Sequence, residues 1–160
     1  MKYITREEFS QLLSTFSIRP KLKRELRYVP EEIDHWESRD FLAVTDRNRM
    51  LGVMIVSFDR LQVAPFRLSK RTSNSSGRVE AIICDICATW RRGVESAVIT
   101  FEKHTGGISF LVCDDLKCSL HVRVDTPAAV LSRVQLRETM TSEARVERLQ
   151  TRLRNILNEI

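Results

Sequence analysis

Cys84-Asp-Ile-Cys87 and Cys113-Asp-Asp-Leu-Lys-Cys118 contain every cysteine of this 160-residue chain. The pattern is C-x2-C, then 25 residues, then C-x4-C. Two thiolates on each of two short turns make the tetrahedron of a four-cysteine zinc site. Four thiolates close the coordination sphere and leave no position for water or substrate. The spacing therefore predicts one structural Zn2+ per chain, with Cys84, Cys87, Cys113 and Cys118 as ligands. A thioredoxin-like C-x-x-C redox pair is the rival reading, but it leaves Cys113 and Cys118 without a role. Two disulfides would suit a secreted protein. Met1-Lys-Tyr-Ile-Thr-Arg-Glu-Glu is charged and has no apolar segment, so we expect a cytoplasmic chain with reduced thiols. His121, three residues past Cys118, and His104 are near enough in sequence to offer a substitute ligand.

Composition narrows the class. Apolar residues make up 42% of the chain, enough for a packed core, and no run approaches the ~20 residues of a membrane span. Twenty-six basic against twenty-one acidic residues give a formal charge of +5, a mild excess that admits nucleic acid or an acidic protein surface as partner. The charge is unevenly placed. Residues 19–27 are basic, residues 31–40 acidic, and residues 60–78 carry five basic residues and no acid.

Around the cysteines the chain reads as α+β. Ile4 to Ser17 has a helical apolar face of Phe9, Leu12, Leu13 and Phe16, with Thr5 as its cap and Pro20 as its stop. Phe41–Val44, Met50–Phe58 and Leu61–Leu68 read as an antiparallel meander with turns at Asp46-Arg-Asn48 and Asp59-Arg60. Ser69 to Gly77 is polar and has nothing to bury, so it reads as a mobile basic loop. Val79–Cys84, Val94–Phe101 and Ile108–Cys113 read as strands that lead to or return from the metal turns, the last two joined at Thr105-Gly-Gly107. Asp114 to Val122 reads as a short helix over the ion. Pro127 separates a last segment, in which Thr141 caps a helix with an apolar stripe of Val146, Leu149, Leu153, Ile156, Leu157 and Ile160. The expected architecture is an antiparallel sheet, a four-cysteine zinc finger and a packed C-terminal helix. Its expected parts are 1–78 and 79–160, or one continuous domain. No nucleophile elbow, phosphate loop or dinucleotide-binding glycine pattern is present, so no enzyme and no small-molecule substrate are expected.

Cys84-Asp-Ile-Cys87-Ala-Thr-Trp90, Cys113-Asp-Asp-Leu-Lys-Cys118-Ser-Leu and the terminal helix from Thr141 resemble the C-terminal treble-clef zinc finger of the elongation-factor-G-binding proteins, the FusB-type fusidic acid resistance proteins. The chain is similar to the short form, with one clear helix where the resistance proteins carry a long N-terminal helical bundle. The resemblance implies a non-enzymatic zinc adaptor that binds elongation factor G, promotes its release from the ribosome and can relieve a fusidic acid stall. It implies the same four cysteine ligands and a partner surface on the finger. Trp90, Arg91, Arg92 and Lys117, which flank the metal turns, are the candidate partner-binding residues. The alternative function is a module that binds ribosomal or other RNA through residues 60–78 and 91–92.

Overall fold

The computed structural model describes residues 1–16, 18–71, 73, 75–103, 106–123 and 126–160. The chain divides into two compact units, Met1–Leu68 and Ser69–Ile160. Both mix helices with antiparallel strands, so the fold class is α+β.

The first unit begins with α1 (Arg6–Thr15). Thr5 and Glu8 form a reciprocal capping box: the Glu8 amide donates to Thr5 Oγ1 (3.1 Å) and the Thr5 amide to Glu8 Oε2 (2.7 Å). Two orphan donors of the first turn are thereby satisfied. A second helix, α2 (Pro20–Glu25), follows with Pro20 at its start. Proline is at home there, because its missing N–H is one that the first turn leaves unbonded anyway. Pro20, expected to stop the first helix, instead opens the second; α1 has already ended at Thr15 with Phe16 as its cap. Strands β1 (Phe41–Thr45), β2 (Leu51–Ser57) and β3 (Leu61–Lys70) form the expected meander, with Phe41 opposite Val56 and Leu51 opposite Arg67. Asp46 Oδ1 accepts the Met50 and Leu51 amides and fixes the first turn. Gly52 is required by packing: a Cβ there would lie 2.5 Å from the Phe66 ring and 2.6 Å from the Val44 carbonyl oxygen. Ser69 and Lys70, read from the sequence as the start of a loop, still belong to β3. Residues 72 and 74 of that loop lie outside the described residues.

Helix α1 lays Phe9 and Leu13 on Leu42, Val44, Val53 and Ile55, with Ile4, Ile18 and Leu22 closing the same core. Tyr28 stacks on Phe9 with ring centroids 4.1 Å apart, and its hydroxyl donates to the Ile4 carbonyl at 2.5 Å. Burial raises the Tyr28 hydroxyl above the usual tyrosine range, with smaller contributions from nearby Tyr3, Glu8 and Glu31.

The second unit is built around two hairpins and three helices. Strand β4 (Ile82–Ile83) pairs with β5 (Trp90–Arg91), Ile82 opposite Arg91 and Ile83 opposite Trp90. Strand β6 (Ser96–Lys103) pairs with β7 (Gly106–Cys113), Ser96 opposite Cys113. Between them Gly93 is required by packing, since a Cβ there would run into the Val79 carbonyl. Then come α3 (Cys118–Arg123), α4 (Pro127–Leu136) and α5 (Ser142–Glu159). Pro127, like Pro20, is a first-turn proline, and Thr126 caps its helix by accepting the Ala129 amide (3.1 Å). Helix α5 lies along α3 and buries Leu149, Leu153 and Ile156, half of the apolar stripe expected from its sequence. No helix among the described residues is long and apolar enough to cross a membrane.

Candidate metal centre

The two cysteine pairs sit on two different turns. The β4–β5 hairpin carries Cys84 and Cys87. Its turn is closed by the Cys84 amide donating to the Thr89 carbonyl (2.9 Å) and the Ala88 amide to the Cys84 carbonyl (2.8 Å). The second pair lies at the junction of β7 and α3, where the Leu116 amide donates to the Cys113 carbonyl (3.1 Å) and the Leu120 and His121 amides to the Lys117 carbonyl. Each turn places one non-glycine residue in the left-handed region, Ala88 at φ 57° and Leu116 at φ 54°. That conformation costs an L-residue roughly 1–2 kcal/mol, so both turns are held by what they converge on.

They converge on a thiol cluster. All four cysteines are buried, and their Sγ atoms lie within 4.8 Å of one another. Cys84 and Cys118 are 3.7 Å apart and Cys87 and Cys113 3.6 Å, so each close approach joins the first turn to the second. A tetrahedral ion with metal–sulfur bonds of about 2.3 Å requires sulfur–sulfur edges of about 3.8 Å, whereas a disulfide would need about 2.05 Å. The spacing fits zinc and excludes two disulfides. Bound there, the ion is a structural cross-link with no open coordination position.

The four thiols ionise unevenly, Cys84 more readily than an ordinary thiol and Cys113 and Cys118 less so. At Cys84 burial opposes the thiolate, but hydrogen bonds from Cys113, Cys118 and Cys87 overcome it and bring the thiol well below its ordinary value. Cys118 is pushed well up by its hydrogen bonds to Cys113, Cys84 and Cys87 and by burial. At Cys113 the bond with Cys118 pulls the thiol down, and those with Cys84 and Cys87 together with burial outweigh it. Zinc must therefore expel protons as it binds, which couples metal affinity to pH.

The four ligands and the fold around them identify the group. A family model for the FBP C-terminal treble-clef zinc-finger matches residues 20–160. The chain belongs to this treble-clef zinc-finger family. No curated protein and no solved structure matches the chain. The treble-clef match begins at residue 20, so it takes in most of the first unit as well as the finger that carries the cysteines.

Polar contacts brace the treble clef from outside the ligand set. Asp85 locks the first turn to β7 in both directions: its amide donates to the Leu111 carbonyl (2.7 Å) and its Oδ2 accepts the Leu111 amide (2.6 Å). Thr89 Oγ1 lies 3.0 Å from Cys87 Sγ, placed to donate to a thiolate. Arg152, on α5, donates from Nη1 to the Cys84 carbonyl (3.2 Å), which ties the terminal helix to the first turn. With Zn2+ and four thiolates the centre carries about two negative charges, and this guanidinium helps to offset them. The C-x-x-C turn itself could have pointed to Asp85. Arg152 sits 68 residues from Cys84, and only the packing of α5 brings it there.

A second set of contacts surrounds Asp115. Its oxygens lie 3.2 Å from His121 Nε2, its Oδ1 accepts the Lys117 amide (3.1 Å), and its Oδ2 lies 3.4 Å from Arg91 Nη2. Burial raises the Asp115 carboxyl, but the hydrogen bond and charge of His121, the Lys117 amide and Arg91 outweigh it, and the group ends below the usual carboxylate range. His121 Nδ1 meets Thr126 Oγ1 at 2.8 Å, so both ring nitrogens have partners. His121 comes near Cys113 through this network, while the four thiols complete a tetrahedral set without it. His104 lies outside the described residues.

The candidate partner-binding residues separate. Arg92 and Lys117 are exposed, and Trp90 is half-buried with its amide donating to Ser132 Oγ (2.8 Å). Arg91 departs from the expectation of a partner-facing side chain. It is 7% exposed, and its guanidinium is held between the Glu95 carbonyl and Asp115. Strand alternation is the reason: opposite Ile82, Arg91 turns to the buried side of the hairpin, where its charge needs the Asp115 carboxylate. Arg71, in the basic segment, donates to the Glu80 carbonyl (2.5 Å) and to Ser96 Oγ (3.3 Å).

Proposed function

We propose that this protein is a non-enzymatic zinc-binding adaptor that binds a translation factor, elongation factor G first, in the cytoplasm. The observation that carries the reading is the treble-clef match over residues 20–160 combined with a thiol cluster that zinc would close completely. A closed metal centre supplies no Lewis acid to a substrate. Its contribution is to fix two turns and the elements they carry, leaving side chains such as Trp90, Arg92 and Lys117 on a rigid frame. Release of the factor from the ribosome, and with it relief of a fusidic acid stall, is the finer proposal.

Calorimetric titration of elongation factor G from the same host into the zinc-loaded protein tests the first step. Saturable one-to-one binding that weakens in Arg92→Glu or Lys117→Glu supports it. Absence of heat and of co-elution at micromolar concentrations of both proteins would refute it. Release is read separately, as the loss of labelled factor from fusidic-acid-stalled ribosomes. The RNA-binding alternative is weakened by the burial of Arg91 against Asp115 and by the bond of Arg71 to the Glu80 carbonyl, which engage two cations of its proposed surface.

A further inference from the structure

Strand β1 has an outer edge, and its bonding pattern shows which groups face that way. The Ser57 amide donates to the Asp40 carbonyl (3.0 Å) and the Asp46 amide to the Leu51 carbonyl (2.8 Å). Hydrogen-bonded pairs alternate along an antiparallel ladder. Leu42 and Val44 therefore turn their backbone groups to β2, and Phe41, Ala43 and Thr45 turn theirs away from it. Two other parts of the first unit take up the ends of that outer edge. The Met1 ammonium donates to the Arg39 carbonyl (2.8 Å), and the Arg27 amide donates to the Thr45 carbonyl (2.9 Å). Among the described residues, the Ala43 N–H and C=O between them have no partner on this side.

A cleft of about 380 Å3 opens at this place, where the chain diverges from β1 after Arg27. Tyr28, Val29 and Ile33 line one wall, and Ala43, Arg47 and Arg49 belong to the other. Its ionic rim is Arg27, Arg47 and Arg49 against Glu32 and Asp46, three positive charges to two negative. Arg27 Nη2 is paired with both Glu32 oxygens at 3.0 Å, and Asp46 Oδ1 is occupied by the Met50 and Leu51 amides. Arg49 has a partner of its own, so exposed Arg47 carries the remaining positive charge of the rim.

An unpaired strand edge, an apolar wall and a basic rim are together the features of strand addition, in which main-chain bonds supply affinity and side pockets supply choice. We propose that this cleft receives an extended acidic segment of a partner protein. The segment would pair with the Ala43 N–H and C=O and set a carboxylate against Arg47. The inference is separate from the zinc-finger reading, since every residue in it lies in Met1–Leu68.

The test is a titration of 15N-labelled, zinc-loaded full-length protein with acetyl-Glu-Val-Glu-Val-Glu-amide, followed by amide shifts. Saturable shifts at Arg27, Ala43, Thr45 and Arg47 are expected. Ala43→Pro removes the outward N–H and leaves the β2 ladder intact, and should weaken binding by about tenfold. Arg47→Glu should weaken it similarly and favour the Lys-Val-Lys-Val-Lys counterpart. Shifts confined to other basic segments would overturn the proposal. So would equal binding of acetyl-Glu-Pro-Glu-Pro-Glu-amide, which marks a simple anion site. Concentration-dependent dimers without peptide would also overturn it, because a second copy would then cover the edge. Should Ala43→Pro fail to fold, Arg47→Glu and the proline peptide decide the outcome.

Discussion

The two units hold themselves together by different means. In Met1–Leu68, α1 and α2 press an apolar face on the β1–β2 strands and bury Phe9, Leu13, Val53 and Ile55, while the candidate metal-ligand groups among the described residues lie in the other unit. In Ser69–Ile160, the segments that meet at the thiol cluster are a two-residue hairpin, the end of β7 and a six-residue helix. None is long enough to be stable alone. The first unit rests on area removed from water; the second also buries Ile99, Phe101, Leu149 and Leu153, but its short elements are brought to one point by the cross-link. Binding free energy of the metal is folding free energy only in the second case.

The largest effect that would separate them is loss of a ligand. Cys87→Ser should abolish stoichiometric zinc, measured as one ion per chain in the native protein. Structural zinc contributes on the order of 10–16 kcal/mol in zinc-finger peptides. Residues 82–123 should therefore lose ordered amide signals at room temperature, while those of 41–57 persist. Phe9→Ala is the converse change. It should cost the first unit about 3–5 kcal/mol by leaving a cavity under Tyr28, seen in chemical denaturation, with zinc content still one per chain.

The contrast also explains what the sequence made legible. The cysteine ligands could be read at once, because metal chemistry fixes both residue type and spacing. The caps at Thr5 and Thr141 were equally plain, since each is a local hydrogen-bond arrangement. Pro20 and Pro127 misled: a proline that stops one element can equally begin the next, and only the packing of Leu22 and Ala129 shows that helices follow. Strand β5 is two residues long and has no periodicity to detect. Arg91 looked like a surface cation because its partner, Asp115, is 24 residues away.

Smaller changes sharpen the comparison within the finger. Asp115→Asn removes the countercharge of buried Arg91 and one partner of His121. It should cost about 1–3 kcal/mol, discounted for the partial exposure of Asp115, with the cobalt-substituted four-thiolate absorption spectrum unchanged. A shift of that spectrum would mean that the network acts on the ligands themselves. Ala88→Gly relieves the left-handed strain of the first turn. It should stabilise the second unit by about 1 kcal/mol, read as a higher melting midpoint. The same exchange at Ala43, in an ordinary extended strand, should bring no such gain.

Amide hydrogen exchange before and after chelation of zinc tests the central claim most directly. Removal of the metal should strip protection from β4, β5, β7 and α3 and leave the amides of β1 and β2 nearly as slow as before. Retained protection across residues 82–123 in the metal-free protein, or equal loss in both units, would contradict it.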